Sequence, residues 1–335
     1  MTVPAPVLDP PFRITRASHV VLTVRDLAAS RRFYTEVAGL VVTAATADTL
    51  YLRGIEEACH HSLVLRQGTE PTCSRIGMRV LTEADLDRAF AHFATQGLAP
   101  QWAEVPAQGR TLHVTDPVGA PLEFCAQMPV VPRALTRFSN WRGGAAQRLD
   151  HCQLLTPRVA EACAWYAALG FKLTEYIAPE QAAGAPFAPL GVFLARKGNP
   201  HDIVFFRGAG PRLHHVAYVV PEMHNILTAC DIAGELGFGD RIERGPQRHG
   251  PGHAMFVYMR DPDGHRIELF NTHYQVMDME IEPVRWDPAN ALPWGFPAQR
   301  SWHEEATPFA GAAVTPLPPG PGPMTLERYL ERKTS

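Results

Sequence analysis

ASHVVLTVRDLAASRRFYTEVAGLVVT (residues 17–43) and LDHCQLLTPRVAEACAWYAALGFKLTE (residues 149–175) carry one pattern twice, and that repetition decides the fold. Each opens on alternating apolar positions, as a strand with one buried face requires. A short helix follows, with an aromatic pair in it: Phe33-Tyr34 in the first copy, Trp165-Tyr166 in the second. Then come a glycine and a further strand. Asp26 is placed to cap the first helix, because its carboxylate can accept from backbone N–H groups that a first turn leaves unpaired.

The repetition continues downstream. RIGMRVLTEADLDRAFAHFATQG (75–97) matches HHVAYVVPEMHNILTACDIAG (214–234), and both read as a strand followed by an amphipathic helix. TDPVGAPLEFC (115–125) matches RDPDGHRIELF (260–270). In Asp-Pro-x-Gly the proline presets one turn dihedral and the glycine accepts a positive one, so a turn precedes each of these apolar strands. The expectation is an α+β chain in which each half is roughly βαβββ written twice. Each half would form a curved mixed sheet with helices on its convex side. The boundaries follow: an N-terminal arm over 1–14, a first module pair over 15–128, a linker over 129–148, a second pair over 149–272, and a Pro- and Trp-rich C-terminal lid or arm over 273–335. That last part includes PLPPGPGPM (316–324) and a short charged helix, LERYLERK (326–333).

Bulk composition excludes several function classes. At 335 residues the chain is long enough for two domains. The formal net charge is −3 and no Lys/Arg run occurs, so no nucleic-acid surface is indicated. No apolar stretch reaches membrane-spanning length, and the first residues have neither the basic nor the apolar region of a secretory leader. The six cysteines show no CxxC spacing and read as thiols of a reduced compartment, which makes cytoplasmic residence the expectation.

The informative residues are His151, His215 and Glu268, each in a strand-like run of the second half. Two imidazoles and one carboxylate are the protein ligands of a facial-triad metal site, which leaves adjacent positions open for substrate and dioxygen. A lone strand histidine is more often a satisfied core residue, and His214 competes with His215 as the ligand. The repeat weighs on both points. His151 matches His19 and Glu268 matches Glu123, but His215 matches Arg75, and arginine cannot ligate a metal. The metal is therefore expected in the second half alone.

These stretches, with DRIERGPQRHGPGHAMFVYMRDPDGHRIELFNTHY (240–274), resemble the type I extradiol ring-cleaving dioxygenases of the vicinal oxygen chelate superfamily. The likeness is strongest to the homoprotocatechuate and catechol 2,3-dioxygenase branch and covers about residues 15–305. The resemblance implies four βαβββ modules in two domains. It implies an Fe(II) ion, with Mn(II) the alternative, on His151, His215 and Glu268. It implies an acid–base role for His201 and contacts to substrate from His249 and Tyr258. Proton handling near neutral pH suits histidine, and a phenol can hold a substrate oxygen. The implied reaction joins O2 to a catechol beside its diol and gives a 2-hydroxymuconic semialdehyde type of product, as in aromatic hydrocarbon catabolism. The resemblance also implies a homo-oligomer, a tetramer in the family. A metal-free sequestering protein and a glyoxalase-type isomerase or lyase are the competing readings within the superfamily.

The chain departs from the family pattern in its substrate pocket. WDPANALPWG (286–295) lacks the arginine pair that members acting on homoprotocatechuate carry there for the substrate carboxylate. Phe193 stands for a tryptophan and Gln153 for an asparagine, while Arg244 is retained and could serve an anionic or polar group. A carboxylate left unpaired in a pocket is costly. The expected substrate is therefore a substituted catechol or trihydroxyarene other than homoprotocatechuate.

Overall fold

In the computed structural model, which describes residues 2–180, 182, 184–318 and 322–334, four βαβββ units follow one another. The first comprises β1 (Ile14–Val24), α1 (Leu27–Arg32), β2 (Val41–Ala45), β3 (Thr49–Arg53) and β4 (Leu63–Gln67). The second comprises β5 (Thr72–Val80), α2 (Glu83–Thr95), β6 (Gln101–Val105), β7 (Gly109–Thr115) and β8 (Pro121–Cys125). The second half repeats the order with β9 (Arg148–Thr156), α3 (Val159–Ala168), β10 (Lys172–Ile177), β11 (Gly191–Ala195) and β12 (Ile203–Arg207). It closes with β13 (Arg212–Val219), α4 (Met223–Glu235), β14 (Ile242–Arg248), β15 (Met255–Arg260) and β16 (Arg266–Asn271). The C-terminal segment adds β17 (Val284–Trp286), α5 (Arg300–Glu304), β18 (Thr307–Pro308) and α6 (Leu326–Thr334). Residues 319–321 of the PLPPGPGPM stretch lie outside the described residues.

The helix starts follow from local chemistry. Asp26 accepts from the backbone N–H groups of Ala28 and Ala29 at 2.8 and 3.0 Å, as its position suggested. Thr82 and Asp85 exchange side-chain and backbone hydrogen bonds at the start of α2, a capping box.

Strand order is the same in both halves. The first sheet runs β2-β3-β4-β1-β5-β8-β7-β6, and the second runs β10-β11-β12-β9-β13-β16-β15-β14, with β17 added beside β10. In each sheet the first strands of the two modules pair antiparallel at the centre (β1 with β5, β9 with β13). The last strand of the second module then lies parallel to its first (β8 to β5, β16 to β13).

One continuous apolar cluster spans both halves. Phe93 of α2 stacks on Trp165 of α3 at 5.8 Å, and Phe33, just after α1, meets Phe238, just after α4, at 5.4 Å. Two reciprocal hydrogen bonds reinforce the joint. Tyr34 donates to Asp261 and Tyr166 donates to Asp116, each at 3.0 Å. These aspartates are the first residues of the two Asp-Pro-x-Gly turns, so each half's helix is tied to the other half's turn. Phe12, assigned to the N-terminal arm in sequence, is core: its ring meets Phe93 and Phe124. No helix among the described residues is long and apolar enough to cross a membrane.

Candidate metal centre

Register brings three distant residues together. Ala217 of β13 has His151 of β9 as its partner on one side and Glu268 of β16 on the other. His215 lies two residues before Ala217, and alternate residues of a strand share a face. All three side chains therefore surround the small Ala217 on one face of the sheet. His151 Nε2 and His215 Nε2 are 3.3 Å apart, and Glu268 Oε2 stands 3.4 and 3.2 Å from them. Ligands at roughly 2.2 Å on one face of an octahedral ion are about 3.1 Å apart, so the triangle is the size a divalent ion needs.

The neighbours also set the tautomers. His151 Nδ1 meets Asp150 Oδ2 at 2.8 Å, and a carboxylate only accepts, so Nδ1 carries the proton and Nε2 offers its lone pair. His214 faces away from the triangle. Its Nε2 donates to the Trp302 carbonyl at 2.8 Å, which leaves its Nδ1 to accept from His215 Nδ1 at 2.7 Å. His215 Nε2 is thereby left as a lone pair as well. Outer hydrogen bonds that orient a histidine's free nitrogen in this way are the usual support of a metal site. The donor set fits a divalent ion in charge, spacing and tautomer.

Burial shapes the titration of the group. His151, His215 and Glu268 are 5, 1 and 2 % exposed, so bulk water does not screen them. Burial lowers the pKa of His215 to about 4. For His151 burial also pulls downward, but hydrogen bonds to Asp150 and Glu268 outweigh it and raise the pKa to about 9, so an ion that binds at Nε2 displaces a proton from it. Burial pushes Glu268 up, yet its bonds to His151, His215 and His249 hold it well below the usual carboxylate range.

A cavity of about 670 Å3 opens over this triangle, and every candidate site residue from the sequence lines it. His201 sits just before β12 with its ring 5.2 Å from that of His151; its Nε2 meets Glu175 Oε2 at 3.2 Å, and Phe193 stacks on it at 4.5 Å. Burial, followed by the charge of His273, lowers the His201 pKa to about 3. His249 Nε2 is 2.9 Å from the Tyr258 hydroxyl and 3.5 Å from Glu268 Oε1. Gln153, two residues after His151, has a buried, unpartnered Nε2. Arg244 lies over the Trp302 ring at 4.4 Å with an unpartnered Nε, inside the cavity and not at a surface strand end.

Sequence reasoning missed several parts. Asp150 gives no signal in the sequence, since strand alternation points it away from its neighbour, although its carboxylate reaches back to His151. Glu175 closes the quoted 149–175 stretch but gives no local signal of its contact with His201. His273, Trp302 and His303 also line the cavity, and they come from the segment after β16. That segment folds over its own chain's cavity: Ala291 and Leu292 wall it where the family's arginines are absent, and Met324 and Tyr329 reach it from the far end.

The model of the Glyoxalase/Bleomycin resistance protein/Dioxygenase superfamily matches residues 16–124 and 148–269, the two halves described above. A manganese-dependent 2,3-dihydroxybiphenyl 1,2-dioxygenase of Geobacillus genomosp. 3 is 32% identical over 82% of this chain and 90% of its own length. A metapyrocatechase of Geobacillus stearothermophilus is 27% identical over 91% of this chain and 97% of its own. Among solved structures, homoprotocatechuate 2,3-dioxygenase of Brevibacterium fuscum in complex with 3,4-dihydroxyphenylacetate superposes with a TM-score of 0.86. It is 36% identical and covers 94% of this chain and 99% of that one. Its two-fold internal repeat, its fold and these relatives make the chain a member of the Glyoxalase/Bleomycin resistance protein/Dioxygenase superfamily, within its extradiol ring-cleaving dioxygenases.

Proposed function

We propose that the chain cleaves a catechol ring beside the diol, using dioxygen and a divalent ion held by His151 Nε2, His215 Nε2 and Glu268. The observation that carries this reading is the pair of imidazoles whose tautomers are fixed so that both lone pairs converge beside one buried carboxylate. The ion is Fe(II), with Mn(II) the alternative, which the manganese-dependent relative supports. When bound, it offers adjacent open positions for diol and dioxygen and a path for electrons between them.

The chain's own groups do the rest. The cavity orients the ring against Phe193 and Phe206, so the two reactants meet without a diffusive search. His249 and Tyr258, paired at 2.9 Å, hold a substrate oxygen and take part of its proton. His201, kept neutral by burial and donating at Nε2 to Glu175, receives a proton at Nδ1 from the substrate and then returns it to a substrate oxygen. Glu175 fixes its ring through Nε2. A sequestering protein has no use for this set of proton-handling groups, which favours the enzyme. The resemblance to the family implies a homo-oligomer.

The substrate is a substituted catechol or trihydroxyarene other than homoprotocatechuate. Apolar Ile177, Leu190, Ala291 and Leu292 wall the cavity, and Arg244 is the one guanidinium lining it among the described residues. The test is an oxygen electrode with the purified protein, loaded anaerobically with Fe(II) or Mn(II). Catechol or 4-methylcatechol is expected to give a yellow product, with kcat/KM above that of homoprotocatechuate by about tenfold or more, the cost of one poorly paired carboxylate. No oxygen uptake with either ion overturns the reaction, and the reverse ranking overturns the substrate class.

A further inference from the structure

Beside the triangle lies a second group of ligand-competent atoms. Asp150, His151, His201 and His273 each place one within 4.8 Å of the others. His273 follows β16 and was not foreseen from sequence. Its ring packs on His201 at 4.3 Å and on Phe270 at 4.3 Å, and its Nδ1 lies 3.2 Å from Asp150 Oδ2 without the alignment of a hydrogen bond. His201 Nδ1 is likewise buried and unpartnered. Because Glu175 accepts at His201 Nε2, the His201 lone pair is on that Nδ1. Two buried imidazoles with unused nitrogens beside a buried carboxylate are an unsatisfied set that a cation would complete. Gly252 closes the space: a side chain there would strike the His273 ring at 2.6 Å and approach His201 at 3.3 Å.

His151 cannot serve both positions, since a neutral imidazole has one lone pair and its Nδ1 hydrogen is given to Asp150. With an ion on the triangle, Asp150, His201 and His273 remain. We infer that Asp150, His201 and His273 form a second site for a zinc-class divalent ion, filled in addition to the ion on the triangle. Its filling removes His201 from turnover. Two imidazoles and one carboxylate suit a tetrahedral ion whose fourth position is water. Ligands at about 2.1 Å around such an ion stand roughly 3.4 Å apart, so side-chain rotations of about 1 Å complete it. Asp150 Oδ1 is already held by Asn199, while Oδ2 keeps a lone pair beyond the one used by His151. The buried carboxylates of Asp150 and Glu175 offset part of the added charge. In the first half the matching positions are Ser18, His61 and Met128, which form no such set.

The inference takes the triangle as the resident ion's place, and its test reads metal content, so it is separable from the ring-cleavage reading. Protein loaded with one Mn(II) per chain is titrated with Zn(II) under equilibrium dialysis. Bound metals are counted, free Mn(II) is followed by its six-line EPR signal, and oxygen uptake with catechol is measured alongside. The expected result is two zinc ions bound per chain at saturation, one replacing manganese on the triangle, where zinc outcompetes it for the same kind of donors, and one on Asp150, His201 and His273. His273→Gln should weaken that zinc by at least about 100-fold, more than loss of an outer partner costs. His273→Asp, which restores a ligand, should keep it and guards against a folding defect in His273→Gln. One zinc per chain at saturation, or an undiminished second zinc in folded His273→Gln, overturns the inference. If catechol is never oxidised, the zinc count still decides the site.

Discussion

The two halves share one fold and one strand register, yet among the described residues only the second gathers two histidines and a carboxylate beneath an open cavity. In the first half Gly77 is flanked by His19 and Glu123 as Ala217 is flanked by His151 and Glu268. Where the second half places His215, the first places Arg75, half-buried and donating to the Leu122 carbonyl at 3.4 Å. His19 Nε2 closes directly on Glu123 Oε1 at 2.5 Å, and Gln108 donates to the same oxygen at 3.0 Å. A side chain on Gly77 would fall 2.0 Å from the His19 ring, so the imidazole uses the space that the missing side chain leaves. In the second half the corresponding atoms stay 3.2–3.4 Å apart under a cavity. The same register can therefore make either a hydrogen-bonded core or an ion-sized gap. The third ligand, and the hydrogen bonds that aim it, decide which.

The most severe way to break this contrast is to give the second half the first half's residue. His215→Arg should leave the purified protein without bound Fe(II) or Mn(II) and lower turnover by more than about 1000-fold, since an obligatory ligand is lost and a cation is placed beside the ion. Normal metal content in this variant would remove His215 from the site. A second change tests the groups around the ion. His201→Phe should keep the metal and slow turnover by about 100- to 10,000-fold, the range of a positioned proton donor, read by metal analysis beside an oxygen electrode.

A smaller effect tests the tautomer argument. His214 is matched by Ser74 in the first half. His214→Ser deprives His215 Nδ1 of its acceptor and should weaken metal binding by about 10- to 100-fold, measured by competition with a chelator. The smallest effect concerns stability. Glu243 pairs with Arg266 and Arg260 and accepts from Ser301, so it anchors the segment that presents Trp302 to His214. Burial pushes Glu243 up, but the two guanidinium groups outweigh that and lower its pKa to about 2. A depressed carboxylate stabilises the fold above its unfolded value and loses that contribution as pH falls through the folded one. Glu243→Gln should therefore cost about 3 kcal/mol near pH 7. The difference from the parent should shrink below about pH 4 and vanish near pH 2, followed by denaturant unfolding at each pH.

Much of this was legible because strands and helices write their periods locally. The paired 17–43 and 149–175 stretches carried the βαβββ unit, and the mismatch of His215 with Arg75 carried the asymmetry between halves. Asp26 was readable as a cap because capping acts within three residues. Asp150 was not readable, because alternation assigns it to the opposite face and only the side-chain torsions return it to His151. Tyr34 and Tyr166 showed no sign of bonding to Asp261 and Asp116, since each bond joins residues of different halves.

The sequence by itself determined the module order, the residue types able to hold an ion, and the half in which all three occur. Periodicity and turn chemistry are short-range, and residue identity fixes what can ligate. Only the tertiary structure decided which nitrogen of each imidazole keeps its lone pair, and how the segment after β16 closes the cavity with Trp302, His303 and Tyr329. Those outcomes depend on hydrogen bonds between residues as many as 88 positions apart, and no local pattern encodes a contact whose partner is supplied by another element.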